Sequence, residues 1–469
     1  MTAGAGEKYA GQAPARVARA IMASLKGGVV PRVGLPYVTV GRKAEIGALL
    51  RDVGIVGEGG AAFRFVVGRY GSGKSFLLQT LRNYAMDQGF VVADADLSPE
   101  RRLQGTKGQG LATYRELVAH LATKTRPEGL ALKTILERWI SGAMQRTAEA
   151  CGLGPEDAGF RREVDRRIHE AVRGLDEMVH GFDFARLLSR YYDAYLAGDE
   201  ETQGKVLRWF RGEYATRTEA RADLGVSGAV TDENWYEHLK LFAVFFHQAG
   251  YKGLLVMVDE LVNIYKIPHG VTRNNNYEKI LTMYNDTLQG RARHLGIFMG
   301  GTPQSVEDTR RGVYSYEALR SRLAEGKFSR EGMRDLLAPV IRLEPLTGEE
   351  MLVLAEKLAD MHAGLYGYER TIGEDELEEF IRIEYGRIGA DSHVTPREVI
   401  RDFIELLDLL WQNPGTRAAE ILGREDFEYA RGGIEGEEDD EAAAEKGAAE
   451  GGEGGGAASG GRGFADFTV

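Results

Sequence analysis

Residues 68–75 have the types and the spacing that bind the phosphate groups of a nucleoside triphosphate. Their glycines leave backbone N–H groups free to approach phosphate oxygens. Lys74 is placed to reach the β- and γ-phosphates, and Ser75 to bind Mg²⁺ through its hydroxyl. We therefore predict a site for ATP and Mg²⁺, against the alternative of an ordinary glycine-rich turn. The residues expected to contact the nucleotide are Gly68, Tyr70, Gly71, Ser72, Gly73, Lys74, Ser75 and Phe76.

A pair of carboxylates, Asp259 and Glu260, follows a run of five apolar residues, 254–258. Such a run indicates a buried strand whose C-terminal end meets the ligand crevice of a parallel sheet. There Asp259 would hold the water shell of Mg²⁺, and Glu260 would polarise the water that attacks the γ-phosphate. The alternative is a strand followed by an acidic helix cap. Because the phosphate-binding pattern lies upstream, we predict a metal ligand and a catalytic residue, and therefore hydrolysis as well as binding.

Three further side chains are candidates for catalysis. Thr302 lies at the end of another predicted strand, where it would sense the γ-phosphate or orient the attacking water. Arg320 and Arg322 follow that strand, and in a ring of subunits such arginines face the nucleotide of the neighbouring subunit. A single arginine is more often a salt-bridge partner than a catalytic finger, so both interpretations stay open for this pair.

Three residues outside the phosphate loop extend the nucleotide-binding set. Gly41 and Arg42 follow a segment, 38–40, that is predicted to be strand-like, and they precede a helix with an acidic first turn, ahead of the loop. Arg397 lies in the first turn of a helix that begins at Pro396, where an arginine of a lid would reach the phosphates. We predict that all three contact the nucleotide. For Gly41 and Arg42, the alternative is a glycine turn before a surface helix.

The elements around these residues predict an α/β fold with a parallel sheet between helices. Strands are predicted at 63–67, 90–96, 253–260, 294–303 and 340–344, and an amphipathic helix follows the phosphate loop. The asparagines 274–276 are predicted to cap a helix that runs to Leu288. The predicted segments are an N-terminal arm and helix (1–34), the first part of the core (35–112), a helical insertion (113–250), the second part of the core (251–345), a C-terminal helical lid (346–431) and a disordered acidic tail (432–469).

The helical insertion is predicted because a compact nucleotide-binding core rarely needs a connection as long as residues 113–250. Its aromatic residues are expected to form its core, and stacking on nucleic-acid bases is the alternative. These residues are Tyr191, Tyr192, Trp209, Phe210, Trp235, Phe245 and Phe246.

Charge and cysteine content limit the class of protein. The formal net charge is −12, but residues 432–469 contain ten acidic and two basic residues, which leaves the rest of the chain near −4. The rest of the chain can therefore still carry a local basic face. The single cysteine, Cys151, excludes an internal disulfide framework and suits a reducing cytoplasm. No apolar run approaches the length of a membrane span, so we expect a cytoplasmic protein without membrane contacts.

The acidic tail ends in two aromatic residues, Phe464 and Phe467. Its Gly-, Ala- and Glu-rich composition cannot bury enough apolar surface to fold. We consider three roles for its tip: docking to a partner protein, autoinhibitory mimicry of nucleic acid, or no attachment at all.

Five motifs, in their order along the chain, resemble those of AAA+ ATPases of the origin-recognition-like branch. They are the phosphate loop at 68–75, Val258 to Leu261, Gly301 to Pro303, Tyr314 to Leu319 and Thr395 to Arg397. More narrowly, they are similar to BREX-type ATP-binding proteins of bacterial phage-defence loci, over about residues 35–415. The resemblance implies the AAA+ fold and an ATPase that acts on DNA alongside other defence proteins, often a helicase.

The motifs and the resemblance together predict an ATP-hydrolysing homo-oligomer that acts on DNA in phage defence, with a helicase or another defence protein as partner. Two alternatives stay open. One is an ATP-dependent switch or scaffold with slow turnover that recruits its partner, and the other is a signalling ATPase that oligomerises when it senses a phage component. Stimulation of turnover by DNA favours the first function, dependence on a protein partner the second, and assembly triggered by phage material the third.

Overall fold

The computed structural model describes residues 13–154, 156–157, 159–324, 326, 335–386 and 395–422. Two compact units divide the chain, one within Met1–Gly415 and the other within Thr416–Val469. Of the second unit, the structure describes residues 416–422, which include one short helix. The predicted acidic tail, 432–469, lies outside the described residues, and so do the roles considered for its tip.

The described strands form one parallel sheet in the order β2-β3-β4-β1-β5. They are β1 (Ala61–Val67), β2 (Val91–Asp96), β3 (Leu254–Asp259), β4 (Leu295–Gly301) and β5 (Val340–Arg342). This order is typical of P-loop NTPases, and it confirms the predicted α/β class with a parallel sheet and many helices. Because the strands are parallel, their C-terminal ends meet at one edge, which is where such sheets bind ligands.

Most of the described residues outside the sheet are in helices. The described ones are α1 (Ala15–Lys26), α2 (Leu35–Val38), α3 (Lys43–Gly57), α4 (Lys74–Asp87), α5 (Gln109–Ala119), α6 (Leu132–Cys151), α7 (Phe160–Asp176), α8 (Gly181–Ala197), α9 (Glu200–Phe210), α10 (Arg217–Leu224), α11 (Trp235–Gln248), α12 (Val262–Tyr265), α13 (Gly270–Leu288), α14 (Pro303–Glu307), α15 (Glu317–Leu323), α16 (Gly348–Tyr366), α17 (Glu374–Gly386), α18 (Pro396–Gln412) and α19 (Ala418–Leu422). None of these helices combines the length and the apolar character needed to cross a membrane.

The two faces of the sheet pack against different sets of helices. Along β1, Ala62 and Val66 belong to a buried cluster with residues of α3 and α4. The alternate residues Phe63, Phe65 and Val67 belong to a second cluster, which continues through the helices between β2 and β3. This period of two is the one that an extended strand imposes on its side chains. The helices α5 to α11 therefore share a continuous core with one face of the sheet.

The aromatic residues expected to form the core of the segment 113–250 are buried. Each has 1% or less of its surface exposed: Tyr191, Tyr192, Trp209, Phe210, Trp235, Phe245 and Phe246. Several rings contact one another edge to face, as between Phe184 and Phe245. Such contacts are typical of packed aromatic cores. The prediction of an aromatic core is confirmed, and these rings present no face on which a base could stack.

One predicted local element is wrong. The residues before Gly41 were expected to enter as a strand, but the structure has the short helix α2 instead, followed by extended residues that join no sheet. Gly34 has φ +75°, and Pro36 lies in the first turn of the helix. A left-handed glycine followed by a proline at the first turn favours a helix start over a strand.

A second correction concerns the asparagines 274–276, which were expected to cap a helix. Helix α13 begins earlier, at Gly270, so Asn276 lies inside it and is fully buried. Its Oδ1 accepts hydrogen bonds from the backbone N–H groups of Leu103 and Gln104, both at 2.9 Å. Its Nδ2 donates to Gln104 O at 3.0 Å and to Thr272 O at 2.9 Å. This side chain therefore joins α13 to the segment that leads from β2 into the helical insertion.

Replacing Asn276 with alanine is expected to lower the free energy of unfolding by about 2 to 4 kcal/mol, because buried backbone groups of Leu103 and Gln104 would lose their partners. Urea unfolding would measure the change. Asn275→Ala is a matched control. Asn275 is exposed on the same helix, and its replacement with alanine raises the helix propensity by the same amount. If the two variants were equally stable, the buried hydrogen bonds would not contribute as stated.

The helices α16 to α18 follow the last strand. Two of them begin with complete capping boxes, Thr347 with Glu350 in α16 and Thr395 with Glu398 in α18. Each box satisfies backbone N–H groups that a helix start leaves free. Helix α1 packs against α16 and α18, and its Lys26 forms an ion pair with Asp408 at 2.6 Å. The predicted division of the chain into segments stays a prediction.

Candidate nucleotide-binding site

The phosphate loop runs from the end of β1 to the start of α4, at the C-terminal edge of the sheet. At two positions of the loop, the backbone conformation favours glycine over residues with a side chain. Gly71 has φ +74°, and a Cβ there would lie 2.6 Å from the Cβ of Thr395. Gly73 has φ +96° and immediately precedes α4. The loop therefore directs backbone N–H groups and the positive end of a 14-residue helix toward the same space, which suits an anion.

Lys74 is the first residue of α4, and its ammonium group folds back over the loop. Its Nζ donates hydrogen bonds to the backbone oxygens of Gly68 and Arg69, both at 2.8 Å. Burial lowers the pKa of Lys74, while Asp259 and Glu260 act in the opposite direction. Phosphate oxygens are stronger acceptors for an ammonium group than two neutral carbonyls. The lysine is thus held next to the loop by contacts that a triphosphate can replace.

The two residues predicted to bind Mg²⁺ lie in direct contact. Ser75 Oγ donates a hydrogen bond of 2.6 Å to Asp259 Oδ2, although the two residues are 184 positions apart in the sequence. Both side chains would offer oxygen atoms as ligands, which suits a hard cation such as Mg²⁺. No group of three or more His, Cys, Asp or Glu side chains able to hold a metal occurs in the described residues. A Mg²⁺ ion here would therefore take its remaining ligands from phosphate oxygens and water, as is usual for this ion.

Glu260 adopts an uncommon backbone conformation. Its φ is +62°, and its N–H donates to Asp259 Oδ1 at 2.8 Å. A left-handed conformation costs a residue with a side chain roughly 1 kcal/mol, and such residues are concentrated at functional sites. Asn263 holds this backbone, since its Nδ2 bonds Leu97 O at 2.8 Å and Glu260 O at 3.4 Å. Burial raises the pKa of Glu260, and the carboxylates of Asp259 and Asp96 raise it further.

Asp96 was missed by the sequence analysis. It is the last residue of β2 and is the register partner of Asp259, the last residue of β3. Burial and the charge of Asp259 raise its pKa. A signal was present, because neighbouring parallel strands that both end in a carboxylate bring their acids to one edge. Strand order is what makes β2 and β3 neighbours, and the sequence did not provide it.

Arg42 joins the loop to the segment that precedes α3. Its Nη2 donates to Ser72 O at 3.0 Å, and its Nη1 lies 3.7 Å from Glu45. The side chain is buried. Gly41 has φ +76°, and a Cβ there would lie 2.7 Å from the carboxylate carbon of Glu350. These two predicted nucleotide-binding residues therefore lie between the phosphate loop and the start of α16.

Arg397 lies over the phosphate loop. Its guanidinium carbon is 4.7 Å from the centre of the ring of Tyr70, which is 57% exposed. This distance is within the range of a cation–π contact. Through Thr395, the start of α18 also touches Gly71. The structure thus brings the arginine predicted for the lid next to a loop that is more than 300 positions earlier in the chain.

Replacing Arg397 with alanine is expected to weaken ATP binding by about 5- to 30-fold, the effect of losing one charge-assisted hydrogen bond. ADP binding should change less, because the expected contact is to the γ-phosphate. Titration of both nucleotides would measure this difference. Arg401→Ala is a suitable control, since it removes an exposed arginine one turn further along α18. Equal losses for ATP and ADP would contradict a contact to the γ-phosphate.

The remaining catalytic candidates have local partners. Thr302 follows β4 and caps α14, with its Oγ1 accepting from the backbone N–H of Ser305 at 3.2 Å. Arg320 lies 3.4 Å from Glu317, and Arg322 donates to Ala318 O at 2.6 Å. These contacts of the two arginines are within α15. Their role toward a neighbouring subunit stays a prediction.

Comparison with known proteins identifies a family whose model matches most of the chain. Residues 13–426 match the family model described as "BREX system ATP-binding protein BrxC/D". A search of curated proteins finds no significant match. The matched range covers most of the chain, including the phosphate loop, the Asp259–Glu260 pair and Arg397. The predicted resemblance is confirmed, and with it an ATP-binding role in BREX phage defence. The chain belongs to the family of BREX system ATP-binding proteins BrxC/D.

Proposed function

We propose that the protein hydrolyses ATP with the help of Mg²⁺ and acts on DNA during phage defence. The observation that carries the proposal is the contact between Ser75 and Asp259 at 2.6 Å, with Glu260 directly beside it. ATP binding without hydrolysis would require only the phosphate loop and a ligand for the metal ion. A second carboxylate, held next to the metal ligand in an uncommon backbone conformation, supports hydrolysis as well.

Each residue has a defined task in this proposal. Backbone N–H groups of the loop and Lys74 bind the phosphates, and Ser75 and Asp259 hold the metal ion. When bound, Mg²⁺ neutralises charge that develops on the β- and γ-phosphate oxygens. Glu260 accepts a hydrogen bond from the attacking water and orients it in line with the γ-phosphate. The raised pKa of Glu260 suits a group that takes up a proton during the reaction.

The contacts around the site suggest how hydrolysis would be transmitted. On one side, Arg397 and Thr395 connect the loop to α18, so loss of the γ-phosphate would change the position of the lid. On the other side, Asn263 connects Glu260 to Leu97, at the start of the segment leading to the helical insertion. We propose that the nucleotide state changes the affinity for DNA or for a partner protein through these two connections. Assembly into a homo-oligomer and a helicase or other defence protein as partner belong to the same proposal.

Phosphate release by the purified protein, with and without double-stranded and single-stranded DNA, tests this function. Glu260→Gln serves as the control for contaminating ATPase, and the salt concentration should be varied because DNA binding through phosphates weakens steeply with salt. We expect stimulation by DNA that is absent in the variant. ATP binding without stimulation would instead favour an ATP-dependent switch that recruits a partner. Assembly only in the presence of phage material would favour a signalling ATPase.

A further inference from the structure

A group of four cationic residues lies on the segments that follow β3 and β4. We call it the basic patch, and it consists of Lys266, Arg273, Arg310 and Arg311. Lys266 and Arg273 come from the segment 261–277, which contains no acidic residue, and the two other arginines from the turn after α14. Because β3 and β4 are neighbouring parallel strands, both segments leave the same edge of the sheet.

Two guanidinium groups of the basic patch meet at one backbone oxygen. Arg273 Nη1 donates to Ile267 O at 2.7 Å, and Arg311 Nη2 approaches the same oxygen at 3.5 Å. Arg311 also donates to Tyr265 O at 3.3 Å and lies 5.4 Å from the centre of the Tyr265 ring. Carbonyl oxygens and a ring face position the two cations but do not neutralise them. The Nε atoms of Arg273 and Arg311 are buried without a hydrogen-bond partner.

The basic patch has more basic than acidic side chains. Within the part of the chain that the structure describes, none of its four cations forms an ion pair. The nearby acid is Asp308, whose carboxylate accepts from Tyr265 Oη at 3.2 Å and from the backbone N–H of Arg310 at 2.7 Å. Lys266 and Arg310 are exposed, and no hydrogen bond of either side chain is observed there. The four cations outnumber this carboxylate, which leaves the patch with a net positive charge.

The helical insertion differs in this respect. Residues 113–250 contain 19 Lys and Arg residues against 22 Asp and Glu residues. Several of its arginines are paired, as Arg166 and Arg167 are with Glu163, and Arg208 with Glu219. Most of its large aromatic side chains are buried, whereas Phe182 is 66% exposed. The insertion therefore has an acidic overall balance, in contrast to the basic patch.

We propose that the basic patch is the surface that contacts the phosphate backbone of DNA. This inference rests on the proposed action on DNA and names the part of the protein that performs it. Lys266 and Arg310 are exposed and directly precede Ile267, at whose oxygen the two guanidinium groups meet, and Arg311. The N-terminal end of the 19-residue helix α13 lies in the same segment. Several cations close together suit the repeated charges of a polyanion. A single nucleotide would require an enclosing loop such as 68–75.

The test replaces Lys266 and Arg310 with glutamine in the full-length protein. Neither side chain makes a hydrogen bond within the described residues, so the fold should be retained. Binding of a fluorescent short duplex would be measured by anisotropy over a range of salt concentrations. We expect affinity at about 0.1 M salt to fall by about 10- to 100-fold, and the slope of log K against log salt to become less steep by about 2, the loss of two phosphate contacts.

The matched control replaces Arg161 and Arg162, two exposed cations of the helical insertion, with glutamine. It removes the same charge and should leave DNA affinity within about threefold of the wild type. ATP affinity and DNA-independent ATPase activity should be unchanged in both double variants. If the wild type bound no DNA, the proposed action on DNA would fail together with this inference.

Three other outcomes would overturn the inference alone. One is wild-type DNA binding that both double variants retain equally. Another is unchanged DNA affinity with a loss of ATPase activity in Lys266→Gln/Arg310→Gln, which would show that these cations face the nucleotide of a neighbouring subunit. The third is a loss of DNA affinity in the Arg161→Gln/Arg162→Gln control but not in the patch variant, which would assign DNA binding to the insertion.

Discussion

Replacing Glu260 with glutamine is expected to lower the turnover number for ATP by about 100- to 1,000-fold and to leave ATP affinity within about threefold. Glutamine has the shape of glutamate but cannot accept a proton from the attacking water. It adds no steric conflict at the φ of +62°, so the loop geometry should be retained. Phosphate release measures turnover, and titration with a fluorescent ATP analogue measures affinity. The combination of bound ATP and absent turnover distinguishes a catalytic role from a structural one.

Asp96→Asn is the control for this experiment. Asp96 ends the neighbouring strand and is a carboxylate at the same edge of the sheet, but the hydroxyl of Ser75 bonds to Asp259 and not to Asp96. We expect its replacement to lower turnover by less than about 10-fold. If Asp96→Asn abolished turnover and Glu260→Gln did not, the catalytic carboxylate would be Asp96.

The pH dependence of kcat/KM gives a further check on Glu260. Only the ionised carboxylate can accept a proton, so activity is lost as the pH falls through the pKa of the free protein. Burial, Asp259 and Asp96 raise this pKa above its usual value of 4.5, and the acid limb should therefore lie at a higher pH than for an ordinary glutamate. Asp96→Asn removes one negative charge and should move the limb toward lower pH. An unchanged limb in that variant would contradict the coupling of the two carboxylates.

Much of the site could be predicted because its residues occur in short contiguous patterns. The phosphate loop follows a buried strand and precedes a helix, and each of these elements has a recognisable local pattern. The position of Asp259 and Glu260 at the end of a strand could be predicted because five apolar residues lead directly into them. The fold class followed from the same strands. Local sequence is informative here since both the chemistry and the geometry of each motif are set within about ten residues.

The features that were missed depend on contacts between distant parts of the chain. Asn276 is predicted to be a cap because an asparagine run resembles a helix start, and only the burial of α13 against Leu103 shows its actual partners. The contact between Arg397 and Tyr70 joins residues from the two ends of the nucleotide-binding region. The basic patch arises because β3 and β4 are neighbours in the sheet. Strand order and helix packing are tertiary properties that no local pattern determines.

Replacing Lys74 with alanine is expected to weaken ATP binding by about 100-fold or more. The ammonium group of Lys74 lies directly against the loop, because it donates hydrogen bonds to Gly68 O and Arg69 O at 2.8 Å. Without it, these two carbonyls would lose their donor and would repel an incoming triphosphate, while charge-assisted bonds to the phosphates would be lost. Stabilisation by ATP against thermal unfolding is a convenient measurement, because ligand at 100 times its Kd stabilises a protein by about 2.7 kcal/mol.

Arg69→Ala separates this specific role from a general effect of charge. Arg69 belongs to the same loop and its side chain is exposed, so its replacement removes one positive charge without removing the bonds made by Lys74. We expect ATP to stabilise this variant nearly as much as the wild type, and to stabilise Lys74→Ala hardly at all. Equal behaviour of the two variants would mean that the backbone N–H groups and the α4 helix end bind the phosphates without the lysine. In that case the loop would still be an anion site, but the anchoring role assigned to Lys74 would be wrong.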